Sequence, residues 1–153
     1  MAPTKIVFGS VDVQADFMLP GGKLYVPGAE KLIPNIQRLI AAALASKALV
    51  VSSGDAHAPD DPEFSRFPAH CVAGTPGARI LPEALGPRVC TIPNDVAQKL
   101  PPDILGCPQI LFEKQTLDVF DNPHTAELVN LLSADAEYIV FGVVTEFCVR
   151  GAA

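Results

Sequence analysis

The chain has 153 residues, 49% of them hydrophobic and 18% charged, with 11 Lys+Arg against 17 Asp+Glu and a net charge of −6. That is the size of a single domain, long enough to bury a core and too apolar for a disordered chain. Negative charge without a basic cluster excludes nucleic acid and anionic membrane as expected partners. The longest apolar runs, such as 39–45, fall far short of the ~20 residues of a membrane span.

The first five residues lead straight into an apolar strand pattern without a signal peptide's layout. Cysteines 71, 90, 107 and 148 form no CxxC pair and no zinc-ribbon spacing. In a chain of this size they read as reduced thiols, and the expected location is the cytoplasm.

The segment 5–13 is apolar almost throughout, as in a strand buried on both faces. Leu32, Ile33, Ile36, Leu39, Ile40, Ala43 and Leu44 then recur at helical spacing, predicting a helix that ends near Ser46 with Pro34 in its first turn. Residues 48–53 form the second predicted strand. From Gly54 to about Pro87 periodicity fades and Pro, Gly and Asp accumulate; loops that long in a compact domain are usually functional. Val89–Ile92 and 109–113 read as short strands. Asn122-Pro123 is an N-cap followed by proline, opening a helix with Leu128, Val129 and Leu132 inward and His124 on the surface. Residues 137–144 form the last strand, and Thr145 is a candidate cap for a final helix from Glu146. Alternating strands and helices predict a three-layer α/β/α fold with a mostly parallel central sheet.

Chemistry in open parallel sheets gathers beyond the carboxyl ends of the strands. Asp12, Lys114 and Cys148 all sit at such ends. Cys148 falls in a helix's first turn, where free N–H groups and the helix dipole favour the thiolate. An acid, a lysine and a cysteine together suit a nucleophilic amidase. The structural alternative is a buried spacer, a strand-end cap and a solvated charge. Asp55 and His57, two residues apart, can face one side of an extended segment as metal ligands, or be a strand-end acid and a loop histidine.

Val11-Asp12-Val13-Gln14-Ala15-Asp16-Phe17 with Pro20-Gly21-Gly22, the stretch from Phe67 through His70 to Gly77, Glu113-Lys114, and Gly142-Val143-Val144-Thr145-Glu146-Phe147-Cys148-Val149 resemble the motifs of the isochorismatase-like cysteine hydrolases, which include the nicotinamidases. The resemblance implies Asp12 as general acid/base, Lys114 as its electrostatic partner and Cys148 as nucleophile. It implies a cis peptide between Val143 and Val144, and an oxyanion hole from the N–H groups of Val144 and Cys148. It implies a divalent metal, zinc foremost with manganese or iron as alternatives, held by Asp55, His57 and His70. Glu63 is a further ligand in that pattern or else a solvated loop acid. Phe17, Phe67 and Phe147 are candidates for a substrate-lining wall.

The chain departs from nicotinamidases in carrying Ala56 where a tryptophan is common and Asp61 where a second histidine is frequent, and it contains no tryptophan. Cys71 is expected to pack inward. The implied activity is hydrolysis of nicotinamide to nicotinate and ammonia through a thioester. The alternatives are another small amide, carbamoyl or ureido substrate, or a non-catalytic binding module on the same scaffold. The resemblance also implies homo-oligomerisation; members continue past the position of Ala153 through more of a helix and at least one more strand, so the sequence reads as a fragment, as a chain whose missing elements lie elsewhere, or as a sheet that ends early.

Overall fold

The computed structural model describes residues 6–153. Its strands are β1 (Ile6–Val11), β2 (Leu49–Asp55), β3 (Val89–Ile92), β4 (Gln109–Lys114) and β5 (Glu137–Gly142). They form one sheet in the order β3-β4-β2-β1-β5, and every pairing is parallel. Between them run α1 (Ala15–Met18), α2 (Ile33–Ala45) and α3 (Pro123–Leu131), and α4 (Arg150–Ala152) follows β5. The α/β expectation is met, and the sheet is wholly parallel.

Both faces of β1, β2 and β4 are largely covered, which is why these strands carry continuous apolar runs, whereas β5 leaves Tyr138 and Ile139 exposed. Phe8 and Val50, paired across β1 and β2, meet Ile36, Ile40 and Ala43 of α2. Leu49, Ile110 and Phe112 point the other way and pack with Leu128 of α3. Each cluster hides side chains worth roughly 1.5–3 kcal/mol apiece when fully buried.

The helix boundaries follow local chemistry. Pro34 lies in the first turn of α2, where its missing N–H costs nothing. Asn122 caps α3 by accepting from the His124 N–H at 3.0 Å, with Pro123 next.

Several expectations need correction. Lys5 lies outside the described residues, and β1 ends at Val11 rather than at residue 13. β2 continues through Gly54 and Asp55, because the rungs to β4 persist that far. Leu32 belongs to a preceding turn and is 42% exposed. Val129 is exposed where it was expected inward, since one turn of α3 presents Leu128 to the sheet and rotates its neighbour away. His124 is buried rather than solvated: its Nε2 lies 3.0 Å from the Asp95 carbonyl and its Nδ1 3.1 Å from Glu127, tying α3 to the loop after β3. Cys90 and Cys107 form a disulfide between β3 and the residue two before β4, so only Cys71 and Cys148 are free thiols. Sequence spacing did not suggest that bond, because the two cysteines meet only through the β3–β4 pairing. No helix among the described residues is long and apolar enough to cross a membrane.

Candidate active site

Four strand ends converge on one cluster. Asp12 follows the last residue of β1, Asp55 and Lys114 end β2 and β4, and Cys148 lies in the turn after β5. β5 stops at Gly142, whose φ is +131° and where a Cβ would stand 2.1 Å from the Val11 carbonyl oxygen. Only glycine lets the two backbones approach that closely. The Val143–Val144 peptide is cis, as the resemblance implies. The chain then winds into a wide π-helical turn, Thr145–Val149. Val144, not Thr145, occupies the position before that turn, and no side chain caps it.

Asp12, Lys114 and Cys148 are all buried. Lys114 Nζ lies 2.9 Å from Asp12 Oδ2 and 3.6 Å from Cys148 Sγ. It also donates to Asp55 Oδ1 and, at 3.0 Å, to the Thr116 carbonyl. An ammonium has three protons. The Asp55 carboxylate, the Thr116 carbonyl and the Cys148 sulfur accept them, while Asp12 Oδ2, which accepts no hydrogen bond, pairs with the ammonium through charge. Ser53 Oγ donates to Asp12 Oδ1 at 2.7 Å and fixes the carboxylate's orientation. Asp12 itself has φ +50°, an uncommon backbone state for a non-glycine residue that turns the chain sharply as it leaves β1.

The electrostatics differ from the expectation of a resting thiolate. Burial pushes the Cys148 thiol well above its usual range and the Asp12 carboxylate adds to this, against the opposing pull of Lys114. Desolvation thus outweighs the pull of the lysine and favours the thiol form of the sulfur. Burial also raises the Asp12 carboxyl, with Lys114 and Ser53 opposing it. A carboxylate of raised basicity beside a protonated thiol can exchange a proton with it. Lys114 stays charged, because its two carboxylates outweigh the cost of burial.

Asp55, His57 and His70 form a second cluster directly beside the first. One potential ligand atom from each lies within 4.8 Å of the others. Asp55 Oδ2 is 3.5 Å from His57 Nε2 and 3.6 Å from His70 Nε2. Each ring's other nitrogen is engaged outward: His57 Nδ1 with Asp61 Oδ2 at 3.0 Å, and His70 Nδ1 with the Pro68 carbonyl at 2.8 Å. His57 Nε2 is buried and has no hydrogen-bond partner. Two imidazole nitrogens and a carboxylate oxygen converging on one point fit a divalent cation of the zinc type. Burial would raise the Asp55 carboxyl, but the adjacent His57 and His70 imidazoles and the Lys114 ammonium hold it well below the usual carboxylate range. Glu63 stands outside the tight cluster, its Oε1 4.0 Å from His70 Nε2.

Both clusters open into a cleft of about 690 Å³, counting its open mouth. Phe17, Phe67 and Phe147 all line it, together with Val144, His70 and Cys148. Phe17 is also part of the core, whereas Phe147 is 44% exposed. Leu24, Tyr25 and Val26 complete the wall, and no periodicity or motif singled them out. Gln14 lies within the first motif, which assigns it no role. Its side chain accepts from the Asp55 N–H at 2.7 Å and donates to the Asp55 carbonyl at 2.8 Å, clamping the carboxylate's backbone. Cys71 packs inward, as expected.

A family profile described as "Isochorismatase domain" matches residues 7–92. Among solved structures, the chain is similar to the pyrazinamidase of Pyrococcus horikoshii in complex with zinc, at 27% identity and a TM-score of 0.73, over 97% of this chain and 76% of that one. It shares its fold with a nicotinamidase from Bacillus subtilis (22% identity, TM-score 0.73, 97% and 77% covered). It also shares it with the N-carbamoylsarcosine amidase of Thermoplasma acidophilum (21%, 0.71, 97% and 73%). No curated protein matches.

Proposed function

The chain belongs to the isochorismatase family of hydrolases, and from that premise we propose that it is a metal-containing cysteine amidohydrolase that converts nicotinamide to nicotinate and ammonia. The observation that carries this reading is the Lys114 ammonium, 2.9 Å from Asp12 and 3.6 Å from Cys148, whose residue lines an aromatic cleft.

In this reading Cys148 Sγ attacks the amide carbonyl carbon as its proton passes to Asp12. The oxyanion is met by the N–H groups of Val144 and Cys148. Asp12 returns the proton to the amide nitrogen, the C–N bond breaks and ammonia leaves a thioester on Cys148. Water then attacks the thioester while giving a proton to Asp12, and nicotinate departs as the thiol re-forms. Lys114 keeps its charge throughout and steadies whichever of Asp12 or Cys148 is anionic. Asp55, His57 and His70 would hold a divalent ion, which supplies a Lewis-acidic site for the pyridine nitrogen and so orients the amide.

The cleft's lining favours this substrate over N-carbamoyl amino acids, since its side chains are mostly apolar and no Lys or Arg among the described residues lines it. Phe67 and Phe147, with ring centroids 6.4 Å apart, supply apolar surface for a flat neutral ring.

The test is ammonia release by zinc-loaded protein from nicotinamide, benzamide and an N-carbamoyl amino acid. Rapid turnover of nicotinamide and poor turnover of the other two is expected. Equal rates on nicotinamide and benzamide would remove the role of the ring nitrogen, and turnover of the carbamoyl compound alone would overturn the substrate.

A further inference from the structure

We propose that Asp61 is a positioning residue that selects the tautomer of His57 and thereby sets the metal affinity of the Asp55–His57–His70 cluster. The inference rests on the metal reading above, but its decisive measurement needs neither metal nor substrate.

The argument begins with the local chain. Asp61 precedes Pro62 at the start of the short turn Pro62–Ser65, and its Oδ1 accepts from the Glu63 N–H at 2.9 Å. That bond fixes the side chain's rotation and leaves Oδ2 aimed back at His57, four residues earlier, where it lies 3.0 Å from Nδ1. Its side chain is nearly buried, at 9% exposure, beside a fully buried imidazole.

A carboxylate can only accept, so the proton of a neutral His57 must sit on Nδ1. Nε2 is then a bare lone pair, and it is the buried His57 atom with no hydrogen-bond partner, 3.5 Å from Asp55 Oδ2. Imidazole left to itself prefers its proton on the other nitrogen, the one that would block a ligand here. Asp61 therefore does for His57 what the Pro68 carbonyl does for His70. A carboxylate does it with charge as well as geometry, raising the ligand's basicity. Phe64 packs against both rings, at centroid distances of 5.2 and 5.7 Å, and limits their rotation.

Two variants separate this role from simple support of the loop. In Asp61→Asn the amide oxygen can keep the cap on Glu63, which turns the NH2 group toward His57 and makes Nδ1 an acceptor. In Asp61→Ala both contacts are lost. Imidazole nitrogen shifts in ¹⁵N-labelled, metal-free protein, at a pH where the rings are neutral, report the tautomer directly. Wild type should show His57 protonated on Nδ1, and both variants should move the proton to Nε2. Zinc affinity, measured by chelator competition, should fall about 10- to 100-fold in each.

An unchanged tautomer in both variants overturns the proposal, even if their metal-free unfolding midpoints drop, since that is what a loop-supporting residue alone would do. Altered tautomers with undiminished zinc affinity overturn it as well. Wild type that binds no zinc but shows the predicted tautomer would instead sink the metal reading and leave the Asp61–His57 relationship standing.

Discussion

Asp55 and Lys114 are Cα partners on the last rung of the β2–β4 ladder, and the carboxylate of the first accepts from the ammonium of the second. Through its other oxygen Asp55 faces His57 and His70, while Lys114 reaches Asp12 and Cys148. One strand rung thus joins the candidate metal cluster to the candidate nucleophile. A carboxylate with two oxygens can serve both sides at once, and a lysine between two acids stays charged despite its burial.

Removing that lysine leaves two buried carboxylates facing each other without a cation. Lys114→Ala is expected to destabilise the fold by about 3–5 kcal/mol, the usual consequence of orphaning a buried charge. Urea unfolding measures it. A shift below 1 kcal/mol would mean that water reaches the cluster and screens it.

Asp12 raises the Cys148 pKa and Lys114 lowers it, so deleting the negative charge should favour the thiolate. In wild type, iodoacetamide should label Cys148 slowly at neutral pH and faster as pH rises toward the elevated pKa. In Asp12→Asn that rise should begin at lower pH, while amide hydrolysis drops by roughly 10²- to 10⁴-fold through loss of the proton carrier. Peptide mapping after brief alkylation across a pH series reads both curves. A variant curve displaced to higher pH would reverse the assigned electrostatics.

Zinc should raise the unfolding free energy of the native protein, by about 2.7 kcal/mol at a free concentration one hundred times its Kd. The His57→Ala/His70→Ala variant should show no such gain, because only Asp55 of the converging set remains. Full metal content in that variant, by elemental analysis after dialysis, would place the ion elsewhere.

The Cys90–Cys107 bond leaves two free thiols, Cys71 and Cys148. Thiol titration of denatured, unreduced protein should therefore find two rather than four. The bond spans a sequence separation of 17, so its reduction should lower stability by about 3 kcal/mol on the loop-entropy argument. Four titratable thiols before reduction would contradict the pairing.

The parts of this protein legible in its sequence are those set by short-range chemistry. Strand β3 and the start of α3 fall where apolar runs and the Asn122-Pro123 cap put them, and the order of strand and helix predicts a parallel sheet. Asp12, Lys114 and Cys148 were visible as reactive residues at strand ends, and the motifs around them indicated a family. What only the tertiary structure decided depends on which strands lie side by side. The order β3-β4-β2-β1-β5 brings residues from 12 to 148 into one cluster, pairs Asp55 with Lys114 and closes the Cys90–Cys107 bond. It also reversed the expected direction of the Cys148 shift. A helix turn and a nearby lysine can be inferred from local sequence, but the desolvation that outweighs them arises only when distant segments exclude water together. Asp61 was visible only as a departure from a motif, because its partner nitrogen is defined by how the loop folds back on His57.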